Sequence, residues 1–270
     1  MASKAPSYDI IYEALLEMHF HSAIISHFSN LYGANFLKLL KPSPQQEAWV
    51  GFDQGWVNTS VTTSQLFNDL QTAIQSGSTS VNKLYIGYFM QFKVVRKFKR
   101  RSRFTPNSFT SPYFRAELDL AANKTTGISQ HETLMRLSNI PGAAVCYACG
   151  MLFDLADLYI PPDLGKLRCV TVPPPINLGD DDRHFIAFRN ETDANPKWCS
   201  EPVDGQSLSF DEWASPNSRY GPQALPPQAI LDLIKAAAHT VSENQKTRQR
   251  DADPITSSLP ESFTLIELEK

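Results

Sequence analysis

Gly51-Phe52-Asp53 and, further along, Tyr85-Ile86-Gly87-Tyr88-Phe89-Met90-Gln91-Phe92-Lys93 are the stretches whose reading decides the fold. The second is an aromatic and aliphatic run with the composition of a buried strand. Successive strand residues face opposite ways, so Gln91 and Lys93 share a face about 7 Å apart while Phe92 turns to the other. An amide and an ammonium in such a strand are costly unless they are paired or used. Gly51, two residues before Asp53, leaves room for a ligand to approach the carboxylate. A strand over about 48–52 is expected to end at Asp53, with Gln54-Gly55-Trp56 as a turn and Glu47 as an exposed loop acid.

Outward from this centre, a long helix is expected from about Ser7 to about Tyr32, with Ser7 as N-cap and Gly33 as stop. Its apolar face reads as Ile10, Ile11, Ala14, Leu15, Met18, Ile24, Ile25 and Phe28. Glu17 falls within that face and Glu13 at its edge. A coreward acid needs an ion-pair partner or a function. Leu66, Leu70, Ala73 and Ile74 give helical spacing over about 62–75, closed by Gly77. Ser129 with Glu132 three residues later predicts a capped helix over 129–138. Strands are expected over 145–148, 167–172 and 184–189, the last with one solvated face. The segment 201–227 is rich in Pro, Ser, Asn and Gly and reads as irregular. A helix follows near 227–245, then a charged tail over 246–270.

The 270 residues carry 42% hydrophobic and 20% charged side chains, an ordinary balance for a globular protein. No apolar run is long enough to span a bilayer, and residues 1–7 lack a signal-peptide core, so a cytoplasmic protein with no membrane partner is expected. A net charge of -3 argues against a wholesale basic binder of nucleic acid. The cationic density is local: Arg96, Lys97, Lys99, Arg100, Arg101 and Arg103, with Phe98 and Phe104 interleaved, directly follow Lys93. Such a run can neutralise phosphates. Cys146-Tyr147-Ala148-Cys149 has zinc spacing, and Cys169 and Cys199 could complete a set, yet no second CxxC exists; buried thiols of a core strand in a reducing compartment are the preferred reading.

The succession of a helix bearing Glu17, a strand delivering Asp53, a strand carrying Gln91-x-Lys93, then a helix and a strand resembles the PD-(D/E)XK nuclease superfamily. The variant is the one in which a glutamine replaces the second acid, as in Mrr-like and phage-defence nucleases. The resemblance covers roughly residues 8–172. It implies an α/β fold with a restriction-endonuclease-like αβββαβ core: a central mixed sheet flanked by helices, plus a helical insertion between Asp53 and Gln91. Residues 1–200 would form that domain and 201–270 an irregular extension with one helix.

The resemblance further implies Mg²⁺, or Mn²⁺, held by Asp53, Gln91 and Glu17, with Lys93 acting on the phosphate or the attacking water and Glu13 as an alternative helical acid. The expected activity is endonucleolytic hydrolysis of nucleic acid, DNA favoured over RNA, in a bacterial anti-phage defence or restriction system, with a protein partner or a second copy of the chain. The rival expectation is the same fold kept as a non-catalytic module that docks nucleic acid or protein.

Overall fold

Capping chemistry and glycine geometry set where the chain turns. The structure is a computed structural model that describes residues 11–33, 37–78, 84–102, 105–172, 184–199 and 202–215. All of these fall within the first of two units, Met1–Ala229. The expected cap at Ser7, the helix near 227–245 and the tail over 246–270 lie outside the described residues.

Helix α1 spans Glu13–Tyr32. Its buried line is Leu16, Phe20, Ile24 and Phe28, four-residue spacing that keeps one side against the sheet. The face expected from the sequence is corrected here: Met18 is 74% and Ile25 40% exposed. Aromatic bulk explains the choice, because Phe28 packs on Trp56 and Tyr88 with ring centroids 5.5 and 5.0 Å away. Strand β1 is Lys38–Leu40.

Helix α2, Pro44–Val50, occupies the stretch expected as a strand. Ser43 and Gln46 form a reciprocal capping box with Pro44 in the first turn, which starts a helix however β-like Ala48-Trp49-Val50 look. Gly51 ends α2 with φ 77°, and its N–H donates to the Glu47 carbonyl at 2.7 Å. A Cβ there would lie 2.9 Å from Thr133 Cγ2, so glycine is required twice over. Strand β2 is Gln54–Thr59, where a turn was expected; Asp53 therefore precedes its strand.

Helix α3, Thr63–Ser76, starts from a Thr62–Gln65 capping box and stops at left-handed Gly77. Strand β3, Leu84–Phe98, runs through the Gln91-x-Lys93 motif and on into the basic run. Strand β4 is Tyr113–Leu118. Helix α4, Gln130–Ser138, is capped by Ser129, which accepts from the Glu132 N–H, while the Glu132 carboxylate pairs with Arg136. Strands β5 (Ala143–Gly150), β6 (Leu167–Thr171), β7 (His184–Phe188), β8 (Lys197–Cys199), β9 (Val203–Asp204) and β10 (Ser207–Ser209) follow, and α5 is Phe210–Ala214. Every residue of β7 is buried, where one solvated face was expected.

The fold is α/β, with a mixed sheet and helices against it. Its strand order is β10-β6-β5-β3-β4-β7-β8-β9, with β2 also on β3 and β1 on β2. Strands β1, β2 and β3 pair antiparallel, and β5 lies parallel to β3 after a crossover through α4. Tyr88, Met90 and Phe92 of β3 pack beneath α1. Phe89 and Val95 face the other way, into the core that holds α3 and α4 residues such as Leu70 and Leu134. Phe210, Trp213 and Ala214 of α5 are buried in the α1 cluster, so part of the segment expected as an irregular extension contributes to the packed core. Short strands broken by Gly205 hide this order from the sequence. Among the described residues no helix is long and apolar enough to cross a membrane.

Candidate active site

Asp53 sits where the β2–β3 ladder stops. Its N–H donates to the Met90 carbonyl at 2.9 Å, and its Oδ2 accepts from the Phe92 N–H at 2.7 Å. The carboxylate thus supplies the acceptor that a longer β2 would have given β3. It is 9% exposed. Burial pushes its pKa up to about 7, with the Glu47 charge next; the Phe92 N–H and the Lys93 ammonium oppose the rise, and Glu17 adds the weakest contribution. The arrangement keeps an acid poised near neutrality beside the Gln91-Phe92-Lys93 motif.

Gln91 is 1% exposed and sits across from Tyr147 of β5. Its side-chain oxygen is buried with no hydrogen-bond partner among the described residues, a state that costs free energy unless a ligand or water completes it. Lys93, 6% exposed, lies across from Cys149 and donates to Glu13 Oε1 at 3.0 Å. The buried ammonium is therefore neutralised from the first residue of α1, by the acid named as the alternative.

Glu17 has ordinary structural partners. Lys41 Nζ is 2.6 Å from its Oε1, and Gln54 Nε2 donates to the same oxygen at 2.9 Å. Gln54 also accepts from Trp56 Nε1 and approaches His21 Nδ1 at 3.3 Å, which ties Glu17 and His21 into a polar rim on the α1 side of β2. This coreward acid is thus ion-paired and hydrogen-bonded.

Glu47, expected as an exposed loop acid, lies instead in a helix. It lies on α2 one turn before Gly51, half-buried, and accepts from Gln130 Nε2 at 3.0 Å. It is the strongest charge acting on Asp53. The Ser43-Pro44-x-Gln46 signature was the signal that could have found it, since a helix there with Gly51 as its stop places Glu47 one turn before the chain enters β2. Behind Gln91, His131 Nδ1 lies 3.0 Å from the Tyr147 hydroxyl, and burial, followed by the charge of His184, drives the imidazole pKa down to about 4. That histidine is neutral under ordinary conditions.

The cysteines do not converge. On a strand, positions i and i+3 face opposite sides, so Cys146 joins the α1 cluster with Cys169 while Cys149 joins the other core. Cys199 belongs to a third cluster with Phe109 and Tyr113. All four are buried free thiols. Among the described residues no group of three His, Cys, Asp or Glu side chains is placed to hold a metal; the donors around β3 are carboxylates and an amide.

Arg96, Lys97, Lys99, Arg100 and Arg101 are exposed at the far end of β3 and just past it, and Arg103 lies outside the described residues. Side chains brace the end of the strand: Arg115 of β4 stacks its guanidinium on Phe98 at 4.2 Å and Phe185 at 4.8 Å, and Phe98 stacks on Tyr113 with centroids 5.3 Å apart. No family model, curated protein or solved structure matches the chain.

Proposed function

We propose that the chain is a divalent-metal-dependent nuclease that hydrolyses phosphodiester bonds of nucleic acid, DNA favoured, on a restriction-endonuclease-like αβββαβ core. The observation that carries this reading is the Asp53 carboxylate docked on β3 within the Gln91-Phe92-Lys93 motif. The succession α1, β1, β2, β3, α4, β5, with an antiparallel meander followed by a parallel crossover strand, supports the core. Helices α2 and α3 and strand β4 are then insertions within it.

The donor set fits a hard cation. Asp53 and the orphaned Gln91 oxygen offer oxygen ligands, and Glu47 is the carboxylate acting most strongly on Asp53. Mg²⁺ or Mn²⁺ held there would polarise the phosphate and acidify a water. Lys93, held by Glu13, offers a fixed ammonium to a phosphate oxygen as negative charge develops on it. Gln130 holds Glu47 in place. Asp53 must lose its proton to serve, and its pKa near 7 lets it do so at neutral pH. In this reading Glu17 braces α1 against β2 and stands outside the ion's ligands.

The test is incubation of supercoiled plasmid, single-stranded DNA and RNA with the full chain in Mg²⁺, Mn²⁺ or EDTA. Nicked or linear product is expected in metal alone, and Asp53→Ala is expected to abolish it while the circular dichroism spectrum holds. Cleavage by Asp53→Ala at the parent's rate would overturn the assignment. Nucleic-acid binding with no product in any metal would leave the docking-module reading in its place.

A further inference from the structure

Seven Lys and Arg side chains of the described residues each face a carboxylate. Arg96, Lys97, Lys99, Arg100 and Arg101 do not: all are exposed and none is ion-paired among the described residues. In a chain of net charge -3 this is a local concentration of unspent positive charge. It lies on the same strand as the candidate site. Alternation along β3 puts Lys97 on the face that carries Gln91 and Lys93, with buried Val95 between them. Four strand residues separate Lys93 from Lys97, or about 13 Å, and Lys99 to Arg101 lie beyond. One strand of a duplex advances about 3.4 Å per phosphate along the axis, so Lys97 stands roughly four base pairs from Lys93.

We propose that the far end of β3 and the turn after it form a phosphate-gripping arm for double-stranded DNA, which sets a one-sided footprint of at least about six base pairs beyond the scissile phosphate. This rests on the nuclease reading for the word "scissile" and on the unpaired cations for the grip. Phe98, stacked on Tyr113 and Arg115, anchors the end of β3 from which Lys99 to Arg101 project, so the strand sets where the grip begins. The contacts are to phosphates and carry no base sequence.

The experiment uses the full chain, the paired variant Arg100→Glu with Arg101→Glu, and fluorescent duplexes of 8 and 24 base pairs. Anisotropy is read across a salt series without metal, and cleavage is read in Mg²⁺ or Mn²⁺. Expected are at least tenfold weaker binding of the longer duplex by the variant, a salt slope shallower by about two, and loss of the parent's preference for the longer duplex. Equal affinity and equal slope for parent and variant would overturn the proposal, as would parent binding to vesicles of anionic lipid but not to duplex. The two readings fail separately. Variant-sensitive binding with no cleavage keeps the arm and removes the nuclease; Asp53-dependent cleavage that ignores both the variant and duplex length keeps the nuclease and removes the arm.

Discussion

The two faces of β3 are built from the same strand and solve opposite problems. Toward α1, Tyr88, Met90 and Phe92 pack against Phe20 and Phe28, and the polar side chains at the margin, Glu17, Gln54 and Lys41, satisfy one another. On the other face Gln91 keeps an orphaned oxygen, Lys93 reaches out to a half-exposed acid, and Asp53 is buried under the field of the Glu47 carboxylate. Polar groups that close among themselves stabilise a fold; those left short of partners cost stability and are kept where something else completes them.

Removing the charge at Asp53 gives the largest effect. Asp53→Asn is expected to lower metal-dependent turnover by roughly 10³-fold or more and to stabilise the protein at the same time. The sign follows from the raised pKa. A carboxyl that holds its proton up to about pH 7 when folded, against an ordinary value of 3.8, favours the folded state fully below pH 4 and loses that contribution as pH rises toward 7. Above pH 7 the asparagine variant escapes the loss, by up to about 4 kcal/mol. Urea unfolding at pH 5 and pH 8 checks this: the variant should gain on the parent at both and clearly more at pH 8, and equal curves would remove the strained carboxylate from the comparison. By the same linkage, Mg²⁺ should raise the parent's melting temperature more at pH 8 than at pH 6.

Lys93 separates the charge from its burial. Lys93→Met keeps the volume, removes the ammonium, and is expected to fold with less than about 1.5 kcal/mol of change while losing turnover by on the order of 10²-fold. Glu13→Gln leaves the buried ammonium without its counter-charge and should cost about 1–2 kcal/mol. A Lys93→Met protein that unfolds while Glu13→Gln stays stable would reverse the picture and make this lysine a structural strut. Chemical denaturation of both variants alongside one cleavage assay decides it.

What the sequence makes legible follows the strength of local rules. Helices α3 and α4 announce themselves by caps, and β3 by its long aromatic and aliphatic run. Helix α2 escapes a reading by composition because five residues rich in Trp, Val and Phe outweigh the Ser43–Gln46 signature, although the capping box governs so short a helix. The face of α1 is undecidable locally: Ala14, Met18 and Ile25 make one apolar stripe and Leu16, Phe20 and Phe28 another, and only the aromatic partners Trp56 and Tyr88 select between them. The Cys-x-x-Cys spacing misleads on a strand for a reason of parity. Gln91 and Lys93 are legible because a polar pair inside a buried strand is costly wherever it occurs. The position of Glu47 is not, since α2 is joined to Asp53 by a turn at Gly51 whose left-handed backbone no pattern of hydrophobicity encodes.

Glu47 and Glu17 give the smallest contrast and the sharpest one, because the sequence names Glu17 as the helical acid while Glu47 is the carboxylate acting more strongly on Asp53. Glu47→Gln keeps an oxygen for Gln130 and removes the charge that, after burial, does most to raise the Asp53 pKa. The acidic limb of the pH profile should therefore move to lower pH, and metal affinity should fall as one carboxylate is lost, a raised metal requirement of roughly tenfold. Glu17→Gln touches Lys41 and Gln54, partners on the α1 side. It should change stability by under about 1 kcal/mol, as for a pair whose lysine is half-exposed, leave the metal requirement where it was, and move the pH limb less than Glu47→Gln does. Metal titrations of cleavage for the two variants at pH 6 and pH 8 measure the difference directly. A shift on Glu17→Gln with none on Glu47→Gln would return the helical acid to α1 and require α1 to swing its carboxylate off Lys41 when the metal binds.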